Sequence, residues 1–232
     1  MKASIEENIA QVTEQIADAC RHAGRPVASV SLLAVSKTRP AEDIRAAHAC
    51  GLNRFGENYL QEALDKIDAL SDLDLEWHFI GPIQSNKTRP IAEHFHWVHS
   101  VDRLKIGQRL SDQRPEAMPP LNICLQVNIS REQSKSGCLP EEAPELAKAL
   151  SQLPGIRLRG LMAIPKATDD EQEQRRAFAD LRQLLEQLAA DVPGLDTLSM
   201  GMSGDLVPAV AEGATIVRIG TALFGARIPK NV

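Results

Sequence analysis

The sequence predicts an α/β protein, a single (β/α)8 TIM barrel of eight parallel strands with outer helices, and three observations lead to this prediction. The chain has 232 residues, close to the roughly 250 that such a barrel needs. Eight short apolar or β-branched runs alternate with helix-like segments, which is typical of βα units and a parallel sheet. No glycine-rich turn follows the first run, which favours a closed barrel over the alternative, an open doubly wound sheet.

The predicted elements follow one another in a regular order. A polar and amphipathic helix over residues 4–22 precedes all the strands, and we expect it to cover the wall between the last and the first strand. The eight strand-like runs are 29–36, 53–57, 76–81, 96–100, 121–129, 157–164, 197–201 and 215–219. The helical segments between them are 41–50, 59–70, 86–93, 103–112, 141–152, 170–190 and a short one near 205–211.

The segment 170–190 has the clearest helical pattern. Its apolar stripe consists of Ala177, Leu181, Leu184, Leu185 and Leu188 at helical spacing, between acidic and basic faces. This pattern is typical of a barrel's outer helix. No linker separates two halves of the chain, so we expect one domain over residues 1–232, with residues 1–24 forming a helix that packs on the barrel.

The composition excludes several classes of protein. There are 26 basic and 31 acidic residues, so no broad positive field attracts nucleic acid or a membrane surface, and aromatic residues make up only 3%. The polar, acidic N-terminus does not resemble a signal peptide, and the apolar runs have only strand length, so we expect a cytoplasmic protein. The four cysteines lack zinc-ligand spacing, which predicts reduced thiols and no metal site. Without a long apolar heptad pattern, we expect a monomer.

Polar residues stand at the carboxyl ends of the predicted strands, where a barrel of this kind builds its active site. Lys37 directly follows the apolar segment SLLAV and precedes Thr38 and Arg39. An arbitrary lysine here would only cap the strand at the surface. In the mouth of a barrel, a partly desolvated amine beside cations can instead attack an aldehyde and form a Schiff base.

A second constellation lies in MGMSGD, residues 200–205, and RIGTALFG, residues 218–225. The loops after the last two strands of a barrel commonly bind phosphate through glycine backbone, hydroxyl groups and a helix N-terminus. Ser203, Gly220 and Thr221 supply these features. Two simpler roles remain open, since Ser203 also fits as the N-cap of the helix near 205–211 and Gly220 as a tight turn.

Arg218 lies two residues before Gly220, so both face the barrel interior if either does. A buried guanidinium needs an acceptor, which is either a carboxylate of the protein or a heteroaromatic ring nitrogen of a ligand. An amine at Lys37, a phosphate cradle and a ring contact around one space together fit pyridoxal 5′-phosphate.

The segments LLAVSKTRP, FGENYLQE, WHFIGPIQSNK, SKSG, RGLMAIP, LSMGMSGD and VRIGTALFG run in order through the whole chain. Together they resemble the pyridoxal phosphate homeostasis protein family. The resemblance implies a fold-type III barrel like the N-terminal domain of alanine racemase, with the cofactor in Schiff-base linkage to Lys37. It further implies that the phosphate is held by Ser203, Gly220 and Thr221, the pyridine nitrogen faces Arg218, and Asn58 lines the pocket.

The resemblance also implies a function without clear catalytic turnover. Members of this family are thought to bind pyridoxal phosphate and deliver it, with apo forms of enzymes that use it as recipients, and to balance vitamin B6 and amino-acid pools. The racemases add a second domain with a catalytic tyrosine, whereas the only tyrosine here is Tyr59. The alternatives are an amino-acid racemase or lyase of limited scope and a pure interaction module.

A few positions have no assured role in this resemblance. Arg39 stands where the family often has a second lysine, and an arginine cannot form an imine in its place. Lys135 is either a solvated loop lysine or an acceptor for cofactor in transit. The remaining matches to family positions are His78, Gln84 and Asn86.

Overall fold

Eight parallel strands close into a barrel in the computed structural model, which describes residues 4–225. Each strand pairs with its neighbour in sequence, and the eighth pairs with the first through Ser31 to Ala34 against Ile216 to Ile219. The predicted fold class is therefore confirmed. The strands are β1 (Ser31–Val35), β2 (Arg54–Glu57), β3 (Glu76–Phe79), β4 (Trp97–Val101), β5 (Leu121–Gln126), β6 (Ile156–Met162), β7 (Thr197–Ser199) and β8 (Ile216–Ile219).

Helices alternate with the strands as the sequence predicts, and their ends shift by a few residues at most. The helix predicted over 86–93 starts later, because a 3-10 turn at Ser85–Lys87 precedes it. The helices are α1 (Ile5–His22), α2 (Ala41–Ala49), α3 (Leu60–Ala69), α4 (Thr88–His94), α5 (Leu104–Gln113), α6 (Ala143–Ser151), α7 (Glu171–Ala189), α8 (Leu206–Ala211) and α9 (Thr221–Phe224). None of the helices within residues 4–225 is both long and apolar enough to cross a membrane.

Helix α1 packs where the sequence places it, against α8, α9 and α2, the helices next to the last and first strands. A capping box at Ser4 and Glu7 starts the helix, and its buried face includes Ile9, Val12 and Ile16. The Asn8 amide adds a bond of 2.9 Å to the Leu223 carbonyl. The single domain over residues 1–232 stays a prediction, because 1–3 and 226–232 lie outside the described residues.

The buried face of helix α7 differs slightly from the predicted apolar stripe. Leu181, Leu184 and Leu188 are buried as expected, but the stripe also contains the fully buried Phe178. Ala177 and Leu185 are only partly buried, since they flank the stripe rather than form its centre.

The main hydrophobic core lies between the sheet and the helices, whereas the barrel interior holds a small separate apolar cluster of Trp97, Cys124 and Met162. Many other interior side chains are polar, including His78, His99, Ser199 and Arg218. The described cysteines are free thiols, and burial raises the pKa of Cys124 and Cys138 to about 12, so both stay protonated. The barrel therefore has a polar interior that connects its two mouths.

Candidate functional site

A cavity of about 310 Å³ opens at the carboxyl ends of the strands and brings the predicted site residues together. Its polar and glycine lining comes from Arg218 on β8 and from the residues that follow β1, β2, β7 and β8, and its apolar lining comes mainly from Val35, Ile80 and Ile164. The predicted residues that line it are Lys37, Asn58, Ser203, Arg218, Gly220 and Thr221. The structure thus gathers all six in one place, while their roles toward a ligand stay a prediction.

Lys37 lies two residues after the end of β1 and is half-buried at the edge of this cavity. Its neighbour Thr38 has a φ of 62°, a left-handed conformation that a threonine adopts only when its surroundings impose it. The Thr38 amide donates to Glu62 Oε1 on α3. The turn that carries Lys37 is therefore held from the neighbouring βα unit.

A buried ion cluster supports the same turn from below. Lys66 Nζ donates to the Ser36 carbonyl at 2.8 Å, to Glu57 Oε1 at 2.8 Å and to Glu62 Oε1 at 2.6 Å. Ser36 Oγ donates to Glu57 Oε1 at 2.6 Å. Burial raises the pKa of Glu57, which is 0% exposed, although Lys66 opposes this shift. Sequence reasoning missed Lys66; its only signal was the i, i+4 spacing from Glu62 on a predicted helix.

Arg218 points inward from β8, as the alternation along the strand predicts, and is only 5% exposed. Its guanidinium donates to Ser199 Oγ at 2.7 Å and to the Ala163 carbonyl at 3.0 Å. Burial lowers the pKa of Arg218 to about 10, so the group stays cationic at neutral pH. None of the ion pairs within residues 4–225 includes Arg218, which is why a carboxylate bridge, the alternative open at the sequence level, does not account for it.

Ser203 and Thr221 are exposed at the rim of the cavity, on the loops after β7 and β8. The prediction that Ser203 is the N-cap of the following helix is wrong. Helix α8 begins at Leu206 with Asp205 as its N-cap residue, and the Asp205 carboxylate accepts from the Met202 amide at 2.6 Å. This bond tightens the loop ahead of the helix and leaves the Ser203 hydroxyl beside the cavity.

Gly220 joins β8 to α9 with a φ of −121°, outside the left-handed region, so no tight turn of that kind explains it. A Cβ atom at this position would lie 3.1 Å from the Val35 carbonyl oxygen on β1. The glycine therefore lets the ends of β8 and β1 approach each other closely beside Lys37.

Asn58 carries the clearest sign of a missing partner. Its Oδ1 atom is buried in the cavity wall and meets no hydrogen-bond donor among the residues that the structure describes. The backbone of Asn58 is fixed by Gly81, where a Cβ atom would come within 2.1 Å of the Asn58 carbonyl oxygen. A buried acceptor without a donor costs free energy, so a ligand donor at this point would be favourable.

Other residues singled out in the sequence lie elsewhere. Gln84 lines a neighbouring cavity together with Tyr59, which is 55% exposed, and Asn86 is exposed near it. Arg39 is buried and donates to the Gly225 carbonyl. Lys135 is not simply solvated, since it pairs with Glu132 at 2.6 Å and donates to the Pro165 carbonyl at 2.7 Å.

A second, larger cavity of about 420 Å³ opens at the opposite mouth, at the amino ends of the strands. Its charged groups pair with one another: Arg54 Nε lies 3.1 Å from Glu76 Oε1, and Arg159 lies 2.6 Å from Asp196 Oδ2. Its wall also contains His78, a residue that matches the family but lies in the barrel interior, away from Lys37. Among residues 4–225, no buried side-chain atom that lacks a hydrogen-bond partner lines this mouth.

The carboxyl-end cavity thus combines a primary amine, a buried guanidinium, an unsatisfied acceptor and hydroxyl groups at the ends of the last two strands. These groups define a class of barrel that can hold a small anionic aldehyde, because an amine can bond to the aldehyde and the hydroxyl groups can donate to the anion. Residues 7–228 match the family model described as alanine racemase, N-terminal domain.

Comparison with curated relatives identifies the family more closely. The pyridoxal phosphate homeostasis protein of Pseudomonas aeruginosa is 67% identical, with 97% of this chain and 96% of that protein covered. The protein of the same name from Escherichia coli is 52% identical, with 96% and 97% covered. The chain belongs to the pyridoxal phosphate homeostasis protein family, as its motifs predict.

Solved structures agree with this placement. PipY of Synechococcus elongatus, solved with pyridoxal phosphate bound, is 41% identical with a TM-score of 0.83, covering 96% of this chain and 100% of that one. Alanine racemase from Corynebacterium glutamicum has a TM-score of 0.68 at 16% identity, covering 95% of this chain and 63% of that one. The second similarity concerns the fold alone.

Proposed function

We propose that this protein binds pyridoxal 5′-phosphate in the carboxyl-end cavity, carries it on Lys37, and balances the supply of this cofactor and of amino acids without catalytic turnover. The observation that carries the proposal is the shared lining of one cavity by Lys37, Arg218 and an Asn58 oxygen without a donor. The bound form of PipY and the names of the full-length relatives support the same ligand.

The residues present fit this group. When bound, pyridoxal phosphate supplies an aldehyde that condenses with a primary amine, with loss of one water. Lys37 Nζ is the amine that we assign to this bond. Ser203 and Thr221 present hydroxyl groups, and Gly220 open backbone, on the two loops that commonly bind phosphate in such barrels. Asn58 Oδ1 accepts from a donor on the ligand.

Arg218 supports a carrier rather than a catalyst. Its guanidinium can only donate hydrogen bonds, and its charge persists at neutral pH despite burial. Beside the ring nitrogen, such a group disfavours protonation of that nitrogen, and protonation is what makes this cofactor a strong acceptor of electrons. The only tyrosine, Tyr59, lines the neighbouring cavity and not that of Lys37.

Reductive trapping tests the assignment of Lys37. The protein is mixed with one equivalent of pyridoxal phosphate, reduced with borohydride, digested and mapped by mass spectrometry. We expect the pyridoxyl group on the peptide that contains Lys37 and loss of the visible absorption band in Lys37→Ala. Lys87→Ala is the matched control, since Lys87 is exposed in the neighbouring cavity, and it should label like the wild type.

A label on another lysine that persists in Lys37→Ala would overturn the assignment. Transfer of the bound cofactor to an apo-enzyme, followed by recovery of that enzyme's activity, tests delivery. Exchange of the α-proton of amino acids in deuterium oxide tests turnover, and we expect no exchange above that of free pyridoxal phosphate. Rapid exchange that depends on Lys37 would instead establish a racemase or lyase of limited scope.

A further inference from the structure

An unbroken chain of hydrogen bonds runs through the barrel interior from the candidate cofactor cavity toward the opposite mouth. Arg218 donates to Ser199 Oγ at 2.7 Å, and Ser199 Oγ lies 2.7 Å from His99 Nδ1. His99 Nε2 lies 2.9 Å from His78 Nδ1, and His78 Nε2 lies 2.8 Å from Glu76 Oε1. Four strands, β8, β7, β4 and β3, contribute to this chain.

Arg218 and Glu76, the two ends of the hydrogen-bond chain, determine the direction of every hydrogen bond in it. A guanidinium only donates and a carboxylate only accepts. His78 must therefore carry its proton on Nε2 toward Glu76 and accept at Nδ1, so His99 donates from Nε2. His99 Nδ1 then accepts from the Ser199 hydroxyl, which accepts from Arg218. With both rings neutral, each bond has one donor and one acceptor.

The surroundings of the hydrogen-bond chain keep its bonds intact. His99 and Ser199 are fully buried and His78 nearly so, which excludes competing water, and burial lowers the pKa of both histidines. The Trp97 ring stacks on His78 with 5.6 Å between centroids and an interplanar angle of 3°. The Glu76 end opens into the amino-end cavity, where Arg54 also contacts Glu76, and the Arg218 end lines the carboxyl-end cavity.

We propose that Glu76, His78, His99 and Ser199 form a positioning relay that orients the Arg218 guanidinium toward the cofactor ring and links it to the opposite mouth of the barrel. This inference rests on the proposed function for its cofactor, whereas the relay itself belongs to the protein alone. A substitution at Glu76, on the far side of the interior, therefore alters how the bound cofactor absorbs light.

Breaking the relay at either end should change the cofactor site. Ser199→Ala removes one of the two acceptors of Arg218 and leaves the Ala163 carbonyl, and we expect about tenfold weaker binding of pyridoxal phosphate with a shifted absorption maximum. Glu76→Leu removes the last acceptor and should shift the maximum in the same direction with a smaller loss of affinity. Glu76→Gln keeps an acceptor oxygen for His78 and should restore both values toward the wild type.

Thr197→Val is the matched control, because it removes another hydroxyl from β7 that bonds to Asp196 and not to the relay. Thr197→Val should leave the absorption maximum of the bound cofactor unchanged. If the relay has a purely structural role, Ser199→Ala and Glu76→Leu should lower the stability of the protein without shifting this maximum. Wild-type affinity and absorption in Ser199→Ala would overturn the proposal.

Nitrogen-15 NMR of the histidine side chains in the cofactor-free protein tests the relay separately from the proposed function. We expect both His78 and His99 at neutral pH with the proton on Nε2 and a bare Nδ1. The reverse tautomer or a charged ring at either position would overturn the relay. The expected tautomers together with failure of Lys37 to bind pyridoxal phosphate would overturn the proposed function alone.

Discussion

The two mouths of the barrel differ in the pairing of their polar groups, a difference that cavity size does not show. The amino-end cavity is the larger, about 420 Å³ against about 310 Å³, yet its guanidinium and carboxylate groups are paired with one another. The smaller carboxyl-end cavity holds a buried oxygen without a donor, on Asn58. The unsatisfied Asn58 oxygen, rather than volume, therefore distinguishes the carboxyl-end cavity as the candidate ligand site.

The mouths also differ in how their charges are buried. The Arg159–Asp196 pair leaves 26% and 55% of its side chains exposed, and such a pair contributes little to stability. Behind Lys37, the Lys66–Glu57 pair is 7% and 0% exposed, so each charge depends on the other. The carboxyl end thus concentrates backbone strain and buried charge around Lys37, and the amino end does not.

The largest effect is expected at Lys66. Lys66→Met leaves the fully buried Glu57 without its cation, so the free energy of unfolding should fall by about 3–5 kcal/mol, measured by urea denaturation. The double variant with Glu57→Gln removes the unpaired charge and should recover part of the loss. A loss in Lys66→Met below about 1 kcal/mol would contradict the idea that this pair is a coupled buried unit.

A smaller effect on the free energy of unfolding is expected from pH, through the histidines in the barrel interior between the two mouths. Burial lowers the pKa of His78 and His99 below 6.5, so both rings stay neutral in the folded protein while the unfolded chain takes up protons. Because the unfolded state binds more protons as pH falls below 6.5, the free energy of unfolding should decrease there. Urea denaturation at a series of pH values measures this decrease.

The variants His99→Gln and His94→Gln isolate this contribution. The raised pKa of Glu57 has the opposite effect on the free energy of unfolding, because the folded protein binds that proton at a higher pH than the unfolded chain does. Since the Glu57 contribution is the same in both variants, the difference between their pH profiles isolates the contribution of His99. His99→Gln should flatten the decrease below pH 6.5, whereas His94→Gln should not, because His94 is exposed in the folded protein. Equal pH profiles in both variants would contradict the prediction.

The sequence predicts the eight strands and, at a few positions, which face of a strand a side chain takes, since both follow from the residue pattern along a single element. The inward direction of Arg218 is one example. The relay from His78 to Ser199 was beyond such reasoning, because contacts between inward residues depend on the stagger between strands. That stagger includes register shifts between Val98 and Val101 and between Ile123 and Cys124.

The same limit applies to the support of Lys37. Lys66 reads as a polar residue on a solvated helix face, and its burial depends on Glu57 and the Ser36 carbonyl, which come from other elements. The family motifs contain Ser36, Glu57 and Glu62, but not Lys66, the residue that joins them. The wrong N-cap at Ser203 has a similar cause, since the helix begins only after Asp205, whose carboxylate accepts from the Met202 amide in the preceding loop.

The smallest effect is expected at the amino mouth. Arg159 contacts Asp196 at 2.6 Å and Asn122 at 3.1 Å and lies 4.9 Å from the Trp97 ring centroid, but all these partners have alternatives in water or packing. Arg159→Met, which keeps much of the apolar stem, should lower the free energy of unfolding by only about 1 kcal/mol and leave the affinity for pyridoxal phosphate unchanged. Urea denaturation and titration with the cofactor measure both quantities. A loss of stability as large as that of Lys66→Met, or weaker cofactor binding, would contradict this prediction. It would show that the paired charges at the amino end also stabilise the fold or support the cofactor site.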